Sequence, residues 1–141
     1  QRVFQEEAQA VAQMYFKIKA FKKQMPVLER IIKIKQIFGL DISKEESKLA
    51  AIKTVLPVFE EVINDLVKAD GILAKISIKK AKSVSAQNPK FQKIVDKIIV
   101  KAEGELTKAT DELAIGHPSK AIFKLNKAWI YAQLAVKLAK K

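Results

Sequence analysis

Few residues in this chain have the types and spacing that catalysis requires. His117 is the only histidine, and it lies in a Gly-His-Pro turn. A catalytic triad would need this imidazole beside an activated hydroxyl or thiol, and the chain has no cysteine. We therefore interpret His117 as a turn residue chosen for loop geometry, with no catalytic role.

Acidic residues occur in close pairs, and paired carboxylates can bind a metal ion or act as general acid and base. The pairs are Glu6-Glu7, Glu45-Glu46, Glu60-Glu61 and Glu103 with Glu105. Adjacent residues of a helix point about 100° apart, so these side chains do not converge on one ion. No glutamate has a histidine three residues on, as bundle di-iron sites need, and no phosphate loop or zinc spacing occurs. The sequence predicts solvated carboxylates, with no catalytic residue, metal, cofactor or small-molecule substrate.

Lysine dominates the charge of the chain. The net charge is +12, with 25 lysines and only two arginines. Lysine is a solvated point charge, whereas arginine reads guanine edges and binds phosphate with two parallel hydrogen bonds. The composition therefore favours diffuse attraction to a polyanion over base-specific recognition.

The lysines are concentrated in two segments. Residues 71–102 contain eight lysines and one acid, and residues 113–141 contain six lysines and no acid. One hypothesis is that these are solvated helix faces, neutralised by the acidic segments 41–70 and 103–112; the other is a basic ridge for an anionic partner. The candidate polyanion-binding residues are Lys79, Lys80, Lys82, Lys90, Lys93, Lys97, Lys120, Lys124, Lys127 and Lys137.

Two aromatic residues of the last segment are candidates for stacking on a ligand. Trp129 fits either a helix interface or, with Lys127 nearby, a platform for a base or a sugar. Tyr131 lies off the apolar stripe, so it is the candidate exposed aromatic residue.

Helices must position all of these residues, because no strand pattern of period two occurs. Start and stop residues predict helices over residues 2–38, 44–85, 89–115 and 118–140. The start signals are Asn88-Pro89 and the capping box Ser43-Lys44-Glu45-Glu46, the stops are Gly39 and Gly116, and kinks are predicted at Pro57 and at Pro26, which otherwise divides the first helix.

Apolar residues recur every three or four positions along each predicted helix, which indicates one buried stripe per helix. The short loops favour a single domain over residues 1–141, an all-α bundle of four long antiparallel helices in up-down-up-down order. The stripes comprise Phe4, Ala8, Val11, Tyr15, Ile18, Ile31, Ile34 and Phe38; Leu49, Ile52, Leu56, Phe59, Ile63, Leu66, Ala69, Leu73 and Ile76; Phe91, Val95, Ile98, Ala102, Leu106, Ala109 and Leu113; and Ile122, Leu125, Trp129, Ala132 and Val136.

The second half of the chain carries a recognisable series of short motifs. They are Ala69-Asp70-Gly71-Ile72-Leu73-Ala74, Lys101-Ala102, Asp111, Gly116, Lys120-Ala121-Ile122, Lys127-Ala128-Trp129, Ala132 and Ala135. Residues 69–139 thereby resemble the helical hairpin modules of secreted and cell-surface proteins of archaea and bacteria, and in part tetratricopeptide repeats; Leu125 and Gly71-Ile72 depart from the pattern. The resemblance implies a location outside the cytoplasm, a structural or interaction role and no enzymatic activity.

From the sequence we expect a non-enzymatic structural or interaction protein of the cell exterior. A chain that begins at Gln1 rather than Met agrees with removal of a leader. Its apolar stripes either close a monomeric bundle or join neighbouring subunits in a self-assembling surface structure. The alternative is a sequence-nonspecific nucleic-acid-binding or coating protein; a third hypothesis attaches the same lysines to an anionic membrane or polysaccharide.

Overall fold

Four helices make up the structure, a computed structural model that describes residues 2–141, with side chains from Gln5 onward. They are α1 (Arg2–Ile37), α2 (Ser43–Ser83), α3 (Pro89–Ala114) and α4 (Pro118–Ala139), and no strand occurs within residues 2–141. The all-α class and the four predicted helices are confirmed, and their ends agree with the prediction to within two residues.

The residues that start and stop α3 act as the sequence predicts. The Asn88 side chain accepts the backbone N–H of Lys90 at 3.1 Å, and Pro89 is the first helical residue. Gly116 ends the helix with a φ of 81°, and Gly39 follows α1 with a φ of 67°. Both glycines therefore occupy the left-handed region, which other residues reach only at a cost in free energy.

The start of α2 differs from the predicted capping box. Asp41 accepts the backbone N–H of Ser43 at 3.1 Å and its hydroxyl at 3.0 Å, so the acceptor precedes the predicted one. These hydrogen bonds lower the pKa of the Asp41 carboxyl because they stabilise its ionised form. Both α1 and α2 continue through their internal prolines, so Pro26 does not divide α1.

The chain divides into two compact units, and each is described by itself. Unit 1 comprises the residues up to Val11 together with Asp65–Lys141, and unit 2 comprises Ala12–Asn64. The boundaries fall inside α1 and α2, which a prediction of one domain over residues 1–141 does not anticipate.

Unit 1 packs segments of all four helices around an alanine-rich core. Ala8 and Val11 of α1 are fully buried, and the Ser119 hydroxyl of α4 donates to the Ala8 carbonyl at 3.2 Å. Small side chains let neighbouring helices approach closely, so the core fills without large residues. The core cluster comprises Ala74, Ile78, Ala81, Val95, Ile99, Ala102, Ala109, Ala121, Leu125, Ala128, Ala132, Ala135, Val136 and Ala139.

The buried side of α2 in unit 1 is not the predicted stripe. Ala69, Leu73 and Ile76 are exposed, and Leu113 of α3 is exposed as well. The residues that face the core are Val67, Asp70, Ala74, Ser77, Ile78 and Ala81. Because Asp70 and Ser77 are polar, a search for apolar spacing selects the neighbouring line of the helix instead.

Unit 2 is an antiparallel hairpin of the second part of α1 and the first part of α2. The rings of Phe21 and Phe59 stack with centroids 6.4 Å apart. Lys22 lies 3.3 Å from Glu60, and Lys35 contacts Glu45 nearer the turn. Its buried apolar residues are Ile18, Leu28, Ile52 and Ile63, whereas the predicted stripe residues Ile34 and Phe38 are exposed and the side chain of Phe4 lies outside the described residues.

Candidate interaction surfaces

Unit 2 exposes large apolar side chains along α1, on the side opposite Ile18. Val27 is 56% exposed, Ile34 50% and Phe38 73%. A groove of about 400 Å³ beside Val27 and Ile31 has Lys48 of α2 on its other wall. This side of α1 therefore adjoins the side of α2 that carries Lys48.

The same side of α2 is apolar too. Val55 and Val62 follow Lys48 at intervals of seven residues, so the three lie on one line of the helix. Val58 stands next to this line and is 54% exposed. We call the combined surface the apolar face of unit 2; its members are Phe16, Ala20, Val27, Ile31 and Ile34 of α1, Phe38 just after it, and Ala51, Val55, Val58 and Val62 of α2.

The opposite face of the hairpin is charged. It carries the ion pair of Lys22 with Glu60, whose side chains are 60% and 46% exposed. Helical spacing places Lys53 away from the apolar face as well. Unit 2 is thus a two-helix layer with one hydrated side and one side whose apolar residues lack a covering layer within the described residues.

Most of the candidate lysines of unit 1 form stripes on the outside of α3 and α4. In α3 they are spaced by three, four or seven residues, and in α4 by three or four, as residues on one side of a helix are. The two stripes border the same side of the helix pair, because Glu105 of α3 lies 3.4 Å from Lys108 and 3.8 Å from Lys124 of α4. We call this surface the lysine face; its members are Lys90, Lys93, Lys97, Lys101 and Lys108 of α3, and Lys120, Lys124 and Lys127 of α4.

The remaining candidate lysines lie elsewhere. Lys79 and Lys82 line a groove of about 350 Å³ between α2 and α3, where Lys82 pairs with Glu103 at 3.0 Å. Lys80 lies on another side of α2 from Lys79 and Lys82, and Lys137 lies off the lysine stripe of α4. The ten predicted lysines are therefore exposed or half-exposed, but they do not form one contiguous ridge.

The aromatic and histidine candidates are all engaged in the fold. Tyr131 is half-buried and packs against the core cluster, so the expected exposed aromatic residue is absent at this position. Trp129 is half-buried. His117 immediately precedes α4, and its Nδ1 lies 2.9 Å from Oε2 of Glu112, so it joins the two ends of the α3–α4 turn.

Two carboxylates that the sequence predicts to be solvated are not: Glu7 is half-buried and Glu105 is buried. Glu7 also contacts a third carboxylate. Glu7 of α1 hydrogen-bonds Asp70 of α2, which is only 7% exposed. Burial disfavours the charged form of Asp70, and the neighbouring Glu7 disfavours a second negative charge beside its own. Together they raise the pKa of Asp70 to about 7. Glu105 is also buried, beneath Lys108 and Lys124. Spacing along one helix carries no information on a pair that only the packing of α1 on α2 creates.

Three further findings concern metal ions, membrane spans and similar proteins. No group of three or more His, Cys, Asp or Glu side chains is placed to hold a metal ion in this part. None of its helices combines the length and apolar character needed to cross a membrane. No protein-family model, curated protein or solved structure matches the chain. The resemblance of residues 69–139 to cell-surface modules accordingly stays a prediction.

Proposed function

We propose that this chain is a non-enzymatic interaction protein of the cell exterior that assembles through the apolar face of unit 2. The observation that carries the proposal is the exposure of that face, where Phe16, Val27, Phe38 and Val58 are each more than half accessible. Contiguous apolar surfaces of this kind are rare on monomers and mark binding sites. The location rests on the resemblance of residues 69–139 alone.

The composition of unit 2 supports binding rather than mere instability. The ion pair of Lys22 with Glu60 lies on the opposite face, and further charged residues line the edges of the apolar face. Apart from Lys48, the residues between those edges are mostly apolar, so the apolar residues are segregated and not scattered over the surface. Singly scattered apolar residues need no explanation, whereas a contiguous face does. A face that runs along two helices has the shape that another helical layer would cover.

Multi-angle light scattering over a wide range of protein concentrations tests the proposal. We expect a mass that rises with concentration, and a return to the monomer for Val27→Glu, which puts a charge in the middle of the apolar face. The matched control is Val100→Glu on α3, because Val100 is 67% exposed and belongs to unit 1. A strictly monomeric wild-type protein at the highest concentration would contradict the proposal.

A second candidate function is sequence-nonspecific binding of nucleic acid, which the lysine face favours. Eight lysines border one side of the α3–α4 pair. The side chain of Glu105, which lies between the two helices, is only 12% exposed, whereas Asp111, on the line of Lys90 and Lys97, is exposed. Contacts of lysine with phosphates release counterions, so affinity falls steeply with salt and ignores base sequence.

Fluorescence anisotropy with two unrelated DNA duplexes tests this second function. Lys101→Gln with Lys127→Gln should weaken both duplexes equally and flatten the salt dependence, since two phosphate contacts are removed. Lys53→Gln with Lys19→Gln, in unit 2, is the control with the same charge. Absence of binding at low salt would end this hypothesis. Equal losses of affinity in the two double variants would show that the lysine face is not the binding surface.

A further inference from the structure

We propose that a second copy of this chain covers the apolar face, so that two unit 2 hairpins pair face to face as a four-helix bundle. This inference rests on the proposed function and names its partner. It follows from three properties of unit 2: the repeat of its exposed residues, the size of the face and the charges along its edges.

The exposed residues repeat every seven positions, which is typical of helix-on-helix packing. One line comprises Lys17, Gln24 and Ile31 of α1 and Phe38 just after the helix, and a second line, three residues further along, comprises Ala20, Val27 and Ile34. In α2, Lys48, Val55 and Val62 form one line, and Ala51 and Val58 form a second line three residues further along. Two such lines, alternating by three and four, are the a and d positions of a coiled coil. A lipid surface or a flat sheet requires no seven-residue repeat.

The buried residues of the hairpin occupy other positions of the same repeat. Phe21 and Leu28 of α1, and Ile52 and Phe59 of α2, come four residues after an a position, and they make the contact between α1 and α2. The a and d positions are therefore left for a partner rather than used within the chain. Lys17, Gln24 and Lys48 are polar a-position residues, and such residues in coiled coils fix register at a cost in stability.

The size of the face suits a dimer. From residue 16 to residue 38 a helix extends about 33 Å, and two helices side by side are about 20 Å wide. The resulting footprint of roughly 650 Å² is close to the ~800 Å² per partner of a standard interface. A single peptide helix would cover only half of this width.

The charges at the edges select one arrangement of the two hairpins. Lys23 and Arg30 line the outer edge of α1, whereas Glu61 lies on the outer edge of α2. If α1 lay on α1 of the other copy, the basic edges would face each other. If α1 lies on α2 of the other copy, Lys23 approaches Glu61 instead, because Lys22 and Glu60 mark nearly the same level of the hairpin. The second arrangement places the two-fold axis along the hairpin and both turns at the same end.

Charge reversal tests the arrangement in the full chain. We expect Lys23→Glu and Glu61→Lys each to weaken dimerisation by about two- to tenfold, as exposed ion pairs that occur twice per dimer should. The double variant should regain the affinity of the wild-type protein. Within one hairpin the two residues lie on opposite outer edges, so rescue requires the second copy. Lys53→Glu on the charged face is the control, and sedimentation equilibrium at low salt is the measurement.

Single cysteine variants give an independent test, because the chain has no cysteine of its own. Val27 and Val55 lie at one level of the hairpin, so an oxidised mixture of Val27→Cys and Val55→Cys should form the mixed disulfide faster than either variant pairs with itself. Faster Val27→Cys self-pairing would overturn the arrangement, as would a mixed rate no higher than the rate at which Lys53→Cys pairs with itself. A protein that loses assembly in Val27→Glu but fails both tests pairs through the apolar face in another arrangement, which leaves the proposed function intact. Assembly that Val27→Glu leaves unchanged, or a strictly monomeric protein, removes both.

Discussion

The two units are built from the same kind of amphipathic helix, yet they close to different degrees. In unit 1, segments of four helices enclose a core in which Ile122 and Val95 are fully buried. In unit 2, two helices share a short line of buried residues, and Ile34 and Phe38 stand 50% and 73% exposed. The number of helix segments available to each unit, rather than its apolar content, sets this difference.

The difference also shows how one helix can serve two neighbours. In unit 2, α1 is apolar on the side of Ile18, which meets α2, and again on the side of Val27. A two-helix layer can cover only one of these sides, so the other needs a further layer. Unit 1 supplies that layer from its own chain, whereas unit 2, in our proposal, obtains it from a second copy.

The largest effect should come from matched deletions in the two units. Ile122→Ala in unit 1 should lower the free energy of unfolding by about 2–5 kcal/mol, because it leaves a cavity in a closed core. Ile34→Ala in unit 2 should cost less than about 1 kcal/mol in the monomer, since water already covers half of this side chain. Urea denaturation at a concentration below that of association measures both. Equal losses would mean that the apolar face of unit 2 is already covered within the chain.

A smaller effect should distinguish the units by pH. Asp70 of unit 1 has a pKa raised to about 7, so the folded state binds more protons than the unfolded state between about pH 4 and pH 7. Its contribution to stability is therefore present at low pH and is lost as the pH rises through this window. In unit 2 the pKa values of Asp41 and Glu45 are lowered, by hydrogen bonds from Ser43 and from Lys35, so their contributions are lost as the pH falls.

Asp70→Asn isolates the first of these two contributions. An amide can donate to Glu7 without taking up a proton, so the variant should be more stable than the wild-type protein at pH 8, and its advantage should shrink toward pH 5. Thermal denaturation over this range is the measurement, and Asp65→Asn is the control because Asp65 is exposed. A stability difference that does not change with pH would show that the pair of carboxyls does not share a proton.

The sequence predicted what depends on neighbours along the chain. The ends of α3, with the Asn88 cap and the glycine at 116, and most of the apolar stripe residues of α3 and α4 follow from residues within a few positions of one another, although the predicted Leu113 is exposed. It failed where the outcome depends on which helix lies opposite. The sequence predicts Leu73 and Ile76 on the buried side of α2, whereas in the structure the polar residues Asp70 and Ser77 lie there.

The candidate surfaces show the same limit. The lysines of α3 and α4 were identifiable by type and spacing, but their common side depends on Glu105, which lies between the two helices. Part of the apolar face of unit 2 is predicted as core, because Ile31, Ile34 and Phe38 have the spacing of buried residues, whereas its residues in α2 lie on no predicted stripe. Spacing identifies an apolar side of a helix, but only packing shows whether another helix of the same chain covers it.

The smallest effect should come from one glycine in each unit, with opposite signs. A Cβ added to Gly104, inside α3 of unit 1, meets no atom within 4 Å, so this glycine does not serve close helix approach. Gly104→Ala should therefore stabilise the protein by about 1 kcal/mol through helix propensity alone. Gly39 in the turn of unit 2 also has open space, but its φ of 67° is strained for alanine, so Gly39→Ala should destabilise by about 1 kcal/mol.

Gly71→Ala is the control for this pair of substitutions. Gly71 lies inside α2 of unit 1 and has equally open space, so its replacement should stabilise as Gly104→Ala does. Urea midpoints at one protein concentration measure all three variants. If Gly39→Ala stabilised as well, the turn of unit 2 would have to adopt another conformation, and the level of Val27 beside Val55, on which the cysteine test depends, would no longer be fixed by that turn.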